Sequence, residues 1–366
     1  LATNMAARKE DAGTISSEIA LWRSLYSKDA AQLADRDHVD YTVTRIKKLN
    51  LGILEGQAVA DAYSIAGRKA DADRERKAVE NKASADVLRM SLGSMVMIMA
   101  FLTGTATLIL AVVAAAKRKW GWIGRVEPQE LSSSTDIPAT PSFGSLLDIF
   151  VAYLAISRGV GLLVGVIPFF DSLPNVPLTA GVYIGTALLA AIYMTSCAKA
   201  EGWRLADIGL RSPGGLPKDI LYGMVGYCGA LPLVVAAGLI NARFIKREDS
   251  SLTPNPVLPM IAGEGSDIGR IILFCLVAIA APIFEELFFR GVLYSALKTR
   301  FNTAACILIS GACFAIVHPM GDWLPIFALG CALASVRELR LSLIPGMVMH
   351  FCQNSLAFIV MRMMFS

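Results

Sequence analysis

Charge is scarce in this chain. Only 17% of its 366 residues are Asp, Glu, Lys or Arg, against about 25% in soluble globular domains. Together with 55% apolar residues and a mean hydropathy of +0.54, this excludes a soluble globular domain, intrinsic disorder and a collagen-like or disulfide-stapled scaffold. The basic excess is small, +4, and no Lys/Arg tract is interleaved with aromatics, so nucleic acid is not an expected partner. Residues 1–90 lack both cysteine and proline. The seven cysteines (Cys197, Cys228, Cys275, Cys306, Cys313, Cys331 and Cys352) all lie in apolar runs. Their spacing matches neither a zinc ribbon nor a redox pair, so they read as small buried hydrophobes. The chain begins at Leu1 without the charged-then-apolar layout of a signal peptide, so it reads as processed or as a fragment.

The charge that is present is unevenly spread. Residues 1–90 hold 29 of the 64 charged residues, and the rest of the chain is dominated by apolar runs. In the head, Leu21, Leu25, Val39, Val43, Ile46, Leu49 and Ile53 recur at helical spacing, which predicts long helices in an extramembrane hairpin or coiled coil. Arg68 to Lys82 reads as a solvated helix face, with a protein partner for 1–90 as the functional alternative. From Ser91 onward eight runs approach the roughly 20 apolar residues needed to span a bilayer: 91–116, 143–167, 177–198, 219–241, 268–297, 303–318, 323–337 and 342–362. The sixth and seventh are short for a full crossing. The expected fold is an all-α, polytopic membrane helical bundle of about eight spans. Its predicted parts are the head (1–90), a first span with a cytoplasmic linker (91–142) and a membrane domain (143–366).

Positive residues orient the spans. Lys117, Arg118 and Lys119 place the end of the first span in the cytoplasm. Lys199, Arg204, Arg211 and Lys218, then Lys298 and Arg300, then Arg337 and Arg340 agree with that assignment. Arg243, Lys246 and Arg247 oppose it. By parity, residues 1–90 are expected outside the cytoplasm.

Ionisable side chains inside a span are costly and usually functional. The fifth run contains Glu285-Glu286-Leu-Phe-Phe-Arg290. Two adjacent carboxylates there repel one another and are expensive to desolvate. Arg290 follows Glu286 by four residues, the helical spacing that favours an ion pair. Glu285 points about 100° away and is left for proton transfer. Of three histidines, His38 lies in the polar head and reads as solvated, whereas His318 and His350 lie in apolar runs. His350 and Asn354, four residues apart, share a helix face and could both donate to one oxygen.

Depth supports the grouping. Glu285 lies 16 residues before Phe301 and His318 lies 17 after it, so both stand about 25 Å from a shared turn along their helices. His350, ten residues past Arg340, stands shallower, at about 15 Å. A carboxylate and an imidazole at one point can activate water, and a second imidazole with an amide can stabilise an oxyanion, which suits hydrolysis of an acyl bond. Ser295 and Ser310 lack a nucleophile motif, and Cys313 stands about a turn before His318 without other support. Zinc stays open as a cofactor, with Glu285, His318 and His350 as its ligands.

Three motifs, Glu285-Glu286-x-x-x-Arg290, Phe314-x-x-x-His318 and His350-x-x-x-Asn354, together resemble those of the CPBP family of membrane-embedded CAAX prenyl proteases and bacteriocin-processing or immunity proteins. Trp203 to Arg211 also looks like the loop that often precedes the family's core. The resemblance covers about 200–362 and does not reach residues 1–90. It implies an integral membrane endopeptidase, in a bacterial cytoplasmic membrane, that cleaves a membrane-embedded or lipid-anchored peptide. It further implies Glu285 as general base, His318 holding the water, His350 and Asn354 as an oxyanion hole, and Glu286 with Arg290 organising the site. Family members have been described both as zinc enzymes and as metal-free glutamate proteases; the metal-free form is expected here. The alternatives are a non-catalytic immunity or scaffold protein of the same fold, and a proton-coupled transporter. The lack of a clear inverted repeat weighs against the transporter.

Overall fold

The computed structural model describes residues 36–48, 53–117, 119, 139–244, 260–261 and 266–365. Leu21, Leu25, Leu49, Arg118, Lys246 and Arg247 lie outside the described residues, as do the side chains of His38 and Ile53. The described residues form ten helices and no strand: α1 (Arg36–Lys48), α2 (Ile53–Ile65), α3 (Lys69–Ala116), α4 (Phe143–Val166), α5 (Asn175–Glu201), α6 (Leu216–Phe244), α7 (Asp267–Lys298), α8 (Thr303–Ile316), α9 (Trp323–Arg340) and α10 (Ile344–Phe365). The chain is thus a helical membrane bundle. By internal contacts it divides into two compact units, Leu1–Ile98 and Met99–Phe365.

In the first unit, the apolar stripe of α1 (Val39, Val43 and Ile46) closes onto Ala58, Val59 and Ala62 of α2, as the 3.6-residue spacing of the head predicts. Arg68 binds Asp40 and Asp71, each at 2.7 Å, and Lys47 binds Glu75 at 3.0 Å, so charge secures the start of α3 to this pair. Within α3 the composition then turns apolar on all sides. Leu92, Met95, Val96, Ile98 and Leu102 are each at least half exposed, the surface of a helix that meets lipid. In the second unit, the Thr103, Thr105 and Thr107 hydroxyls donate to carbonyls four residues back, which keeps them satisfied where water is absent.

Among the described residues, six helices are long and apolar enough to cross a membrane, α3 to α7 and α10. The two runs that read as short remain so. Helix α8 has 14 residues and α9 has 18, about 21 and 27 Å against a core of about 30 Å. The α4–α5 hairpin is closed by Ser142, which caps α4 and donates to Glu201 at the far end of α5. The α8–α9 hairpin closes through two glycines. A Cβ on Gly330 would stand 2.9 Å from the Gly311 Cα, closer than carbon atoms approach. The variant Gly330→Val is therefore expected to force α8 and α9 apart and to cost about 1–3 kcal/mol; an unchanged melting temperature in detergent would contradict this.

The loop 203–215 docks on the α9–α10 corner. Arg337 donates to the Ile208 carbonyl at 3.0 Å, Arg340 binds Asp219 at 3.0 Å, and the Leu343 amide donates to Gly209 at 2.7 Å. Both arginines counted as orienting charges are therefore buried; Arg337 holds this loop and Arg340 holds the first turn of α6 beside it.

Candidate active site

Helix α7 carries the paired glutamates, and its path is irregular. Two π-helical stretches, Cys275–Ala280 and Leu287–Leu293, flank a short α segment, Ala281–Glu286. Such wide turns are rare and cluster at functional sites. The first has a traceable cause. The Ala281 amide bonds back to the Leu276 carbonyl, five residues earlier. In that register the next donor, to Val277, belongs to residue 282, which is proline and has no N–H. Asn354 on α10 fills the gap: its Nδ2 donates to the Val277 carbonyl at 2.8 Å.

Glu286 and Arg290 are both fully buried. Arg290 Nη1 donates to Glu286 Oε1 at 2.9 Å, and Nη2 donates to the Gly330 carbonyl at 3.1 Å, so the pair expected from the four-residue spacing forms. The guanidinium also lies 4.3 Å from the centre of the Phe314 ring, a cation–π contact strengthened by the absence of water. His350 Nδ1 reaches the same Glu286 oxygen at 3.3 Å. The other Glu286 oxygen has no hydrogen-bond partner among the described residues. It faces Gly346, where a Cβ would stand 2.8 Å from it; only glycine lets α10 come so close.

Glu285 is arranged differently. Its side chain is 25% exposed and its Oε2 lies 3.7 Å from His350 Nε2. That oxygen accepts no hydrogen bond among the described residues. His318 is not inside a helix, as its apolar run suggested, but in the turn just after α8. Its Nδ1 donates to the Phe314 carbonyl at 2.7 Å, which leaves Nε2 as the acceptor in the neutral ring. The Trp323 indole N–H donates to the His318 carbonyl at 2.8 Å and fixes the turn. Phe314 joins these parts: His318 and His350 lie 4.7 and 5.5 Å from its ring centre.

A cavity of about 230 Å³ opens on this constellation. Glu285 and His318 line it together, as the matched depths predict, along with Phe288, Met194, Tyr153 and Tyr183. His350 and Asn354 do not line it. His350 faces the two glutamates, and one N–H of the Asn354 amide goes to the Val277 carbonyl on α7. The two tyrosines on α4 and α5 escaped sequence reasoning. Their signal was a phenol inside an apolar run, a polar tip that needs a use.

Both His350 nitrogens face carboxylates. Among the described residues no group of three His, Cys, Asp or Glu side chains that could hold a metal ion is found.

Comparison with known proteins bears on one part of the chain. No curated protein and no solved structure matches it. Residues 267–356 match the family model described as type II CAAX prenyl endopeptidase Rce1-like. That stretch holds all three motifs, from the paired glutamates to Asn354. The resemblance read from those motifs is thereby supported over residues 267–356, which are similar to that family.

Proposed function

We propose that the protein is an intramembrane endopeptidase in which Glu285 activates water against a peptide bond of a membrane-associated substrate. The observation that carries this reading is the shared cavity. Within the Rce1-like segment, the Glu285 carboxylate side chain and an imidazole with a free acceptor nitrogen face one apolar space. A water between them loses a proton to Glu285 while its oxygen bonds to the substrate carbonyl carbon. Glu285 then returns that proton to the amide nitrogen as the C–N bond breaks, releasing a carboxylic acid and an amine. His318 holds the water through Nε2. Glu286 and Arg290 touch no cavity surface; they position His350 and, through it, the bearing of Glu285.

The direct test compares membrane peptides from cells that make the wild type with those from cells that make Glu285→Ala. Peptide termini that appear only with the wild type support hydrolysis and name the substrate. Identical peptide sets at equal protein abundance would sink the proposal and favour a scaffold or immunity role. On this reading the enzyme also works without a resident metal. Purified protein dialysed against EDTA and phenanthroline is expected to keep its cleavage rate within about twofold; loss that zinc restores would overturn that part, since removing a catalytic metal removes several kcal/mol of stabilisation.

A further inference from the structure

The corner where the loop 203–215 meets the end of α9 and the start of α10 holds more positive charge than its carboxylates balance. Three ion pairs form there. Arg204 binds Asp207 at 3.3 Å, Arg340 binds Asp219 at 3.0 Å, and Lys298 binds Glu338 at 3.0 Å. Two guanidiniums, those of Arg211 and Arg337, form no ion pair among the described residues; each donates to a backbone carbonyl instead. Asp207 stands near enough to act on Arg211, but both of its oxygens are taken by Arg204. Glu338 stands near Arg337, but its oxygens go to Tyr294, Lys298 and Thr303.

The two unbalanced arginines are neighbours. Arg337 is only 7% exposed, and its Nε has no hydrogen-bond partner among the described residues. Its guanidinium lies against Gly209, where a Cβ would stand 2.6 Å from Cζ. The Arg211 amide donates to that same Gly209 at 2.8 Å, and the two charges are close enough to repel one another. Arg211 is part-buried and turns Nε inward to the Leu341 carbonyl at 3.3 Å. Its two terminal nitrogens have no partner among the described residues. A neutral donor would serve to bind the Ile208 carbonyl. Like charges side by side, one of them almost wholly desolvated, are costly unless an anion joins them. The surroundings say which anion. Leu210 is exposed, as are Leu216, Ile220 and Leu221 in the first turns of α6, a helix long and apolar enough to cross a membrane. Ser212 ties the loop to that turn by donating to Asp219 at 2.6 Å. A guanidinium with free donors, bordered by exposed apolar chains at the end of such a helix, fits a phosphate that carries its own hydrocarbon.

We infer that Arg211, backed by the charge of Arg337, binds the phosphate of an anionic phospholipid headgroup, whose acyl chains lie along Leu210 and the first turns of α6. The terminal Arg211 nitrogens donate to two phosphate oxygens, the forked geometry that suits a guanidinium. Arg337 keeps its bond to Ile208 and contributes its field alone. A net negative headgroup is favoured over a zwitterionic one, because the second brings a cation of its own to a corner that already holds two in excess. The bound lipid steadies the loop 203–215 against α10, which the Leu343 amide joins to Gly209 at 2.7 Å. The inference stands apart from the peptidase reading and does not need it.

The test offers the purified full chain, in dodecyl maltoside, phosphatidylglycerol, phosphatidylcholine with the same acyl chains, or inorganic phosphate. Retained lipid is counted by native mass spectrometry, and the melting temperature is followed as each probe is titrated. The wild type is expected to hold phosphatidylglycerol at least about tenfold more tightly than phosphatidylcholine, and to melt higher as phosphatidylglycerol is added. Inorganic phosphate at the same concentration should leave the melting temperature unchanged. Arg211→Gln should bind phosphatidylglycerol about tenfold or more weakly, the effect of losing a charge-assisted hydrogen bond. Lys218→Gln removes the same charge from an exposed side chain nearby and should stay within about twofold of wild type. Equal retention of the two lipids by the wild type overturns the inference, whether or not the arginine variant folds. So does wild-type affinity for phosphatidylglycerol in Arg211→Gln. An equal loss in both glutamine variants shows diffuse surface charge in place of a site and overturns it as well. Protection by inorganic phosphate as strong as that by phosphatidylglycerol shows a site for free phosphate, and the lipid assignment is then wrong.

Discussion

Replacing Glu285 by glutamine is expected to lower peptide cleavage by at least about a hundredfold, because a positioned general base contributes about 10²–10⁴ in rate. Glutamine preserves the shape and a carbonyl-type oxygen but cannot take a proton from water. The fold should not notice. The Glu285 side chain is part-exposed, and its buried oxygen accepts no hydrogen bond among the described residues, so nothing structural depends on its charge. The melting temperature should stay within about two degrees of wild type. The variant His318→Ala is expected to show a similar loss, since it removes the acceptor that orients the water. Any pair of results in which both proteins cleave at the wild-type rate leaves no role for the shared cavity in catalysis.

Arginine 290 gives the opposite pattern, a large loss of stability. The variant Arg290→Met strands Glu286 in a site from which water is fully excluded. Breaking a buried pair from one side costs about 3–5 kcal/mol, because the remaining charge has no compensation. The loss should be visible as a much lower melting temperature and a smaller folded yield in detergent. Removing both charges is a different experiment. In Glu286→Gln/Arg290→Met the stranded carboxylate is gone, so at least half of the lost stability should return, a coupling that independent sites do not show. Cleavage should not return with it, because His350 has lost the carboxylate that holds its Nδ1. A single variant that melts like the wild type would show that the pair does not carry the structure.

How much of this was legible beforehand depended on whether the cause was local. The Glu286–Arg290 pair follows from a four-residue step on one helix, and the meeting of Glu285 with His318 follows from equal distances to one turn. Both need only helix geometry. The head hairpin was legible for the same reason: Val39, Val43 and Ile46 form a stripe that has to be covered. What escaped had non-local causes. Asn354 shares a helix face with His350, and that face alone suggested a common target. Its partner is set by a proline 72 positions earlier, which no periodicity reports. Arg337 and Arg340 looked like ordinary orienting charges because the loop that buries them lies more than a hundred residues away. The tyrosines carried no motif; only the packing of α4 and α5 against α7 brings them to the cavity.

The wide turns of α7 have a further consequence. A helix absorbs a surplus residue in a π turn without swinging everything beyond it by about 100° about the axis. If the first of the two turns tightened to ordinary α-helix with no residue removed, both glutamates would rotate by about that angle, and Glu285 would leave the cavity and His350 together. The Asn354–Val277 hydrogen bond, joining residues 77 positions apart, opposes that rotation, so the direction in which Glu285 faces is held from a different helix than its own.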